Sequence, residues 1–230
     1  MGNGLLGHMA APTARRERAD ATREAILAAA ERLFAEHGVS AVSNRQISEA
    51  AGQGNNTAVG YHFGTKADLI RAIVRRHNEA VERQCQQMVA RLGPAPVLRD
   101  WVECLVYPLA RHLTELGEPG WYARFSAQLM PDPAHRDIAS AESLTSAAVL
   151  RIIEGLKAAL PELPEEVRAE RNAMARTLIV HTFADRERAV AAGAPTRHRD
   201  WGTAAAALTD ALTGLLQAPV TSPDQREEQP

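Results

Sequence analysis

A short polar segment contains the residues whose types and spacing suggest chemistry. Between Asn55 and His62 the sequence reads NNTAVGYH, which combines two amides, a hydroxyl, a phenol and an imidazole. These groups donate and accept hydrogen bonds, so they can recognise polar edges and anionic oxygens of a partner. A second polar run, Ser43 to Arg45, lies a short distance upstream. The pattern predicts a recognition surface rather than a catalytic centre.

The rest of the chain offers no pattern for catalysis or for a cofactor. It lacks a glycine-rich phosphate loop, a GxSxG or HExxH motif and a Cys–His nucleophile pattern. The HRD triplets at His135–Asp137 and His198–Asp200 have no glycine-rich loop or DFG beside them. Cys85 and Cys104 lack metal-ligand spacing and are predicted to be small buried hydrophobes. We therefore predict that the protein is not an enzyme and binds no metal or cofactor.

Composition limits the remaining classes. The chain has 230 residues, 45% of them hydrophobic, which is enough for one or two domains with a core. Its formal net charge of -2 gives no bulk attraction to nucleic acid, although the segment from Arg15 to Arg76 carries +3. No apolar run reaches the roughly 18 to 20 residues that span a bilayer, and no secretory segment is visible. We expect a cytoplasmic protein without a membrane partner.

The apolar spacing around the polar segment is helical. An i, i+3, i+4 stripe from Ile26 to Phe34 predicts a first helix that ends at Gly38. Ser43 and Gln46 have the spacing of a capping box, which predicts a second, short helix that ends before Gly52.

A third helix is predicted from Thr57 to Phe63, capped by Asn55 or Asn56 and ended by Gly64. A fourth helix follows to about Leu92. Two short helices joined by a glycine-containing turn form a helix-turn-helix, whose second helix can enter the major groove of DNA. The polar segment lies on that second helix.

The residues of this region resemble the DNA-binding signature of the TetR family of transcriptional regulators. The resemblance rests on Ile47, Ala51-Gly52, the YHF of Tyr61 to Phe63 and the GTKADL of Gly64 to Leu69, and covers about residues 20 to 75. The turn, with Gln53-Gly54, is one residue longer than is usual for the family.

The resemblance implies a ligand-responsive repressor that binds a palindromic operator in double-stranded DNA as a homodimer and is released by a small organic effector. The alternative is a helical small-molecule-binding protein without specific operator recognition. A gel shift with DNA upstream of the protein's own gene separates the two, because the alternative gives only weak, salt-labile binding.

The predicted DNA contacts divide by position on the two short helices. Residues at the start of the third helix can read bases, and residues at the start of the second helix and at the end of the third can bind phosphates. Ser43 as a cap only and Tyr61 as core filling remain open alternatives. Arg15, Arg16 and Arg18 either enter a minor groove or belong to a flexible arm. The predicted set is Ser43, Asn44, Arg45, Asn55, Asn56, Thr57, Gly60, Tyr61, His62 and Lys66.

The predicted fold is all-α, with a helix-turn-helix domain joined by a long helix to a C-terminal helical ligand-binding and dimerisation domain, about nine helices in total. We expect an N-terminal arm at 1–18, the DNA-binding domain at 19–66, the effector and dimerisation domain at 67–217 and a tail at 218–230. Pro108 should kink or divide the helix that contains it. The later helices are expected at Val97–Leu116, Gly120–Met130, Asp137–Leu160, Glu165–Ala192 and Asp200–Leu216.

Two further sets of residues are candidates for ligand and partner surfaces, and ordinary core packing is the alternative for both. Aromatic and polar residues of the first C-terminal helices predict an effector pocket. Apolar stripes on the last two helices predict a four-helix dimer interface. The pocket candidates are Met88, Trp101, Cys104, His112, Trp121, Arg124, Phe125 and Leu129. The interface candidates are Met174, Leu178, Ile179, Thr182, Phe183, Leu208, Ala211, Leu212 and Leu215.

Overall fold

The fold is all-α, as predicted. The computed structural model describes residues 10–55 and 57–220, with side chains from residue 15 onward. This part of the chain contains ten helices and no strand, so the expected count of about nine is one too low. The helices are α1 (Ala10–His37), α2 (Asn44–Ala50), α3 (Ala58–Phe63), α4 (Lys66–Val89), α5 (Leu98–Leu116), α6 (Tyr122–Leu129), α7 (Pro133–Ser143), α8 (Ala147–Ala159), α9 (Glu165–Ala191) and α10 (Trp201–Gln217).

The first helix differs from the expectation at its start. It begins at Ala10, so the described part of the expected arm 1–18 is helical and the exposed Arg15, Arg16 and Arg18 lie on a helix. The expected arm was predicted from the lack of apolar periodicity before about Ala19. An exposed helix needs no apolar stripe where it does not pack.

The additional helix comes from a break in the segment 137–160. The expected single helix there is wrong, because α7 ends at Ser143 and Ser146 starts α8 by accepting a hydrogen bond from the backbone N–H of Val149 at 2.9 Å. Asp132 caps α7 in the same way, with Pro133 in its first turn.

Pro108 does not divide α5. A proline cannot donate the backbone hydrogen bond to the carbonyl four residues earlier, which here belongs to Cys104. The thiol of Cys85 on α4 lies 3.8 Å from this carbonyl oxygen, in the geometry of a donor.

Both cysteines are free and buried, as predicted, and burial raises the pKa of Cys85 to about 12 and that of Cys104 to about 11.

The core has two clusters. The larger one runs from α1–α4 into α5, α6, α9 and α10, and the rings of Phe34 on α1 and Phe125 on α6 stack within it at 6.2 Å between centroids. The smaller one surrounds Trp101 between α4, α5 and α8. The helix-turn-helix therefore shares its core with the rest of the chain. Among the described helices, none has the length and apolarity needed to cross a membrane.

Candidate DNA-binding and effector sites

The turn between α2 and α3 is built by a side chain that the sequence assigned to DNA. The Oδ1 atom of Asn55 accepts hydrogen bonds from the backbone N–H of Thr57 at 2.9 Å and from its hydroxyl at 2.7 Å. Asn55 therefore shapes the start of α3, which begins at Ala58, one residue later than expected. Asn56, the other candidate cap and base contact, lies outside the described residues.

The third helix has one buried and one exposed face. Ala58, Val59 and Phe63 are buried on the face that packs against α2 and α4, whereas Tyr61 is 83% exposed. Core filling is therefore not the role of Tyr61. A Cβ added at Gly60 would meet no atom within 4 Å, so the exposed face at this position is bare backbone.

Arg23 on α1 fixes the end of α3. Its guanidinium donates a hydrogen bond to the backbone carbonyl of His62 at 2.9 Å and lies 4.2 Å from the centroid of the Phe63 ring. The imidazole of His62 is half-buried. In the sequence, Arg23 is only one of the basic residues between Arg15 and Arg76. Its structural role could not be predicted, because its partners lie about forty residues away.

The start of α2 combines a cap with exposed polar groups. The Ser43 hydroxyl accepts from the backbone N–H of Gln46 at 3.3 Å, and the Gln46 side chain accepts from the backbone N–H of Ser43 at 2.8 Å, which confirms the capping box. Asn44 is half-buried, and its Oδ1 atom is buried and has no hydrogen-bond partner among the described residues. Arg45 is exposed and pairs with Glu49 at 2.8 Å, and this hydrogen bond raises the pKa of Arg45.

Lys66 contacts the protein itself. Its ammonium group donates hydrogen bonds to the backbone carbonyls of Val39 at 3.1 Å and Val42 at 2.7 Å, in the loop between α1 and α2. Two of its three donors are thus used to hold this loop. The phosphate contact expected from the sequence stays a prediction.

The expected effector residues do not surround one cavity. Met88, Trp101 and Cys104 belong to the smaller core cluster, where the indole of Trp101 packs directly on the backbone of Gly155. Phe125 and Leu129 are buried in the larger cluster. Trp101, Cys104, Phe125 and Leu129 are buried, and Met88 is half-buried against the smaller cluster, so all five contribute to core packing, which was the alternative left open for them.

A buried polar chain contains His112, another of the expected pocket residues. Its Nε2 lies 2.8 Å from Nδ1 of His77, whose Nε2 lies 2.9 Å from the carboxylate of Glu31. The ring of Tyr122 stacks on His77 at 3.8 Å, so the chain connects α1, α4, α5 and α6. Burial, followed by the neighbouring His77, lowers the pKa of His112 to about 4. Glu31 and His77 were missed, although each lies on the apolar stripe of its helix.

Trp121 and Arg124 lie at the start of α6. The guanidinium of Arg124 lies 4.3 Å from the centroid of the Trp121 ring and 3.5 Å from the carboxylate of Glu187 on α9. Glu187 also accepts the backbone N–H groups of Ala123 and Arg124, at 3.3 and 2.8 Å, and so caps α6. Burial raises the pKa of Glu187, and these hydrogen bonds oppose the increase.

The expected dimer residues separate into core and surface. Phe183, Leu208 and Leu212 are buried within the chain, with Phe183 packed edge-on against Trp201. A buried side chain cannot present a surface to a partner, so these three are removed from the candidate interface. Met174 and Leu178 are exposed by 51% and 39%, Ala211 is exposed, and Ile179, Thr182 and Leu215 are half-buried.

A helix-turn-helix with an exposed second helix, fused to a larger helical domain, defines a class of DNA-binding regulators. Two family models match this chain: "Bacterial regulatory proteins, tetR family" at residues 26–73 and "Tetracyclin repressor-like, C-terminal domain" at residues 103–214. The chain belongs to the TetR family of transcriptional regulators.

Solved structures share the fold. A TetR family regulator from Marinobacter aquaeolei VT8 is 20% identical, with a TM-score of 0.57, 85% of this chain covered and 97% of that chain. NalD, the secondary repressor of the MexAB-OprM multidrug efflux pump in Pseudomonas aeruginosa, is 27% identical, with a TM-score of 0.51 and coverages of 89% and 100%. SmeT, the repressor of the Stenotrophomonas maltophilia efflux pump SmeDEF, is 20% identical, with a TM-score of 0.51 and coverages of 87% and 93%. No curated protein matches the chain by sequence.

Proposed function

We propose that this protein is a cytoplasmic repressor that binds a palindromic operator as a homodimer and is released by a small organic effector. The observation that carries the proposal is the exposed face of α3, with the bare backbone of Gly60 beside the protruding Tyr61. The likeness to NalD supports repression, because that protein, 27% identical and covered over its full length, is a repressor.

Among the described residues, those proposed to contact DNA have exposed or half-buried side chains at the starts of α2 and α3 and at the end of α3. Asn55 and Thr57 lie just before α3, where side chains reach base edges, and Asn56 stays a proposed base contact from the sequence alone. Ser43, Asn44, Arg45, Tyr61 and His62 are proposed to contact phosphates, which position the protein on the duplex. The Ser43 hydroxyl also remains a helix cap.

Gly60 provides a sharp test of the DNA interface. Alanine at this exposed helical position should raise the free energy of unfolding by about 0.5 to 1 kcal/mol, since glycine weakens a helix. If the backbone here lies against DNA, the added methyl group should nevertheless weaken operator binding, by about tenfold for a loss of about 1.4 kcal/mol. Fluorescence anisotropy with DNA from upstream of the gene measures affinity, and urea unfolding measures stability.

Gly202→Ala is the matched control, because Gly202 is exposed in the first turn of α10, outside the helix-turn-helix. It should leave operator affinity unchanged. Equal operator affinity of wild type and Gly60→Ala contradicts the proposed approach of α3 to DNA. Weak binding of wild type that is independent of sequence and lost with salt favours the alternative function without an operator.

The proposed dimer uses the exposed apolar side chains of α9. Leu178→Glu would place a carboxylate in a desolvated interface and should convert the dimer to a monomer in sedimentation analysis. Operator affinity should fall with it, because the two recognition helices must lie about 34 to 36 Å apart, or a multiple, on one face of the DNA. Ile153→Glu on α8, 42% exposed, is the control and should remain dimeric. A dimer that survives Leu178→Glu removes α9 from the interface.

A further inference from the structure

A groove lies where the DNA-binding helices meet the rest of the chain. Its volume is about 440 Å³, within the range of about 300 to 1,000 Å³ typical of small-molecule sites. One side is lined by small residues of α1, Ala25, Ala28 and Ala29, and the last residues of α2 adjoin them. The last residue of α5, Leu116, and the segment before α6, with Trp121, complete the lining.

The apolar part of the groove suits a flat ring. Alanine side chains leave space along α1 that larger residues would fill, and Trp121 offers an indole beside that space. Arg124 lies over the indole at 4.3 Å and so fixes the orientation of the ring. A preorganised aromatic side chain contacts a flat ligand at low entropic cost.

The polar part of the groove is cationic. Arg76 and Arg32 line it, and each forms a long ion pair with an acid on the helix surface: Arg76 with Glu24 at 3.5 Å and Arg32 with Glu36 at 3.6 Å. Such exposed pairs are weak, so a guanidinium can turn to a better anion. The one acidic lining residue, Glu31, is already hydrogen-bonded to His77 at 2.9 Å.

We propose that this groove binds an aromatic carboxylate of one or two rings. The ring lies between the alanines of α1 and the indole of Trp121, and the carboxylate pairs with Arg76. A guanidinium binds a carboxylate through two parallel hydrogen bonds, which fixes the direction in which the ligand enters.

The position of the groove gives the ligand a regulatory role. The groove is lined by α1 and α2 on one side and by α4 and the α5–α6 segment on the other, so an occupant contacts both parts of the protein. This role rests on the proposed function. A ligand that lowers operator affinity must have its own affinity lowered by the operator by the same factor.

Calorimetric titration of the full-length protein with 1-naphthoate tests the site. Ala28→Leu fills the groove from an exposed position on α1, and Arg76→Gln removes the cation. Each should weaken 1-naphthoate binding by about tenfold or more, and the neutral analogue 1-naphthamide should bind wild type at least about tenfold more weakly. Ala21→Leu, on the same helix, and Arg83→Gln, on α4, lie outside the groove and should change the Kd by less than about twofold.

Several outcomes overturn the proposal: no heat from 1-naphthoate up to about 1 mM, equal binding of the amide, or wild-type affinity in Ala28→Leu. Operator binding is measured separately, without ligand, on the same proteins. Loss of specific operator binding by wild type with naphthoate binding intact refutes the proposed function and leaves the site. Normal operator binding with no naphthoate binding refutes the site and leaves the function.

Discussion

Lys66 allows two roles of a single charge to be separated. The sequence predicts a phosphate contact, whereas the structure shows its ammonium group bonded to the carbonyls of Val39 and Val42. Lys66→Met keeps most of the apolar stem and removes the charge and its three donors. The loop between α1 and α2, which sets the start of α2, then has two carbonyls without their partner.

The expected loss follows from these two bonds. A hydrogen bond from a charged donor contributes about 1.5 to 3 kcal/mol, and partial exposure of Lys66 favours the lower end for each. We therefore expect Lys66→Met to lower the free energy of unfolding by about 3 kcal/mol. If the charge serves only these two carbonyls, the dependence of operator affinity on salt should stay the same, whereas the phosphate contact predicted from the sequence would make its loss reduce that dependence.

Urea unfolding and operator titrations at four or more salt concentrations provide the two measurements. Each phosphate contact contributes a slope of about 0.9 in a plot of log affinity against log salt concentration. A slope reduced by that amount with unchanged stability would refute the structural role and restore the phosphate contact. Lys157, exposed on α8, is the only other lysine of the chain, and Lys157→Met should change neither quantity.

Three further predictions concern the core. Phe125→Ala should lower the free energy of unfolding by about 3 to 5 kcal/mol in urea titrations, since the ring is fully buried against Phe34; a loss below about 1 kcal/mol would contradict this packing. Gly155→Ala should cost about 1 to 3 kcal/mol and shift tryptophan fluorescence, because its methyl group would lie 2.2 Å from the Trp101 ring; an unshifted spectrum argues against this contact. The pKa of His112 in the folded protein is about 4, below its ordinary 6.5, because burial favours the neutral ring. The contribution of neutral His112 to the free energy of unfolding is therefore complete above about pH 6.5 and is lost as the pH falls towards 4. His112→Gln should flatten that part of the stability profile, and a slope equal to that of wild type would exclude His112 as its source.

Local features of the fold could be predicted because short-range contacts determine them. The Ser43–Gln46 capping box and the end of α1 before Gly38, whose φ is +84°, each depend on neighbouring residues. The sequence predicts one continuous helix from Asp137 to Leu160 and does not indicate the break at Ser146. The sequence alone does not distinguish a serine that caps a new helix from a serine within a continuous helix, so the structure is needed to locate the break.

The site was harder to predict, since its side chains take partners from distant segments. The oxygen of the Asn55 side chain, which is proposed to contact bases, also accepts a local hydrogen bond from Thr57 that the sequence does not reveal. Trp101 was assigned to a pocket, but Gly155 on α8 lets the helices close on it. Periodicity shows that a residue faces inward; it does not show whether a cavity or a neighbouring helix lies opposite.

The packing of α6 connects α9, which carries part of the proposed dimer interface, with α1 of the helix-turn-helix region. At its start, α6 is capped by Glu187 of α9, and along its length Phe125 packs on Phe34 of α1. Packing contacts between two sites do not by themselves couple ligand binding to DNA binding. Coupling requires two conformations of the protein that the ligand binds with different affinity. The groove proposed to bind an aromatic carboxylate is lined by α1 and includes Trp121, the residue that precedes α6. We propose that a ligand there shifts α1 relative to α9 and so, in the proposed dimer, changes the separation of the two α3 helices without touching the side chains proposed to contact DNA.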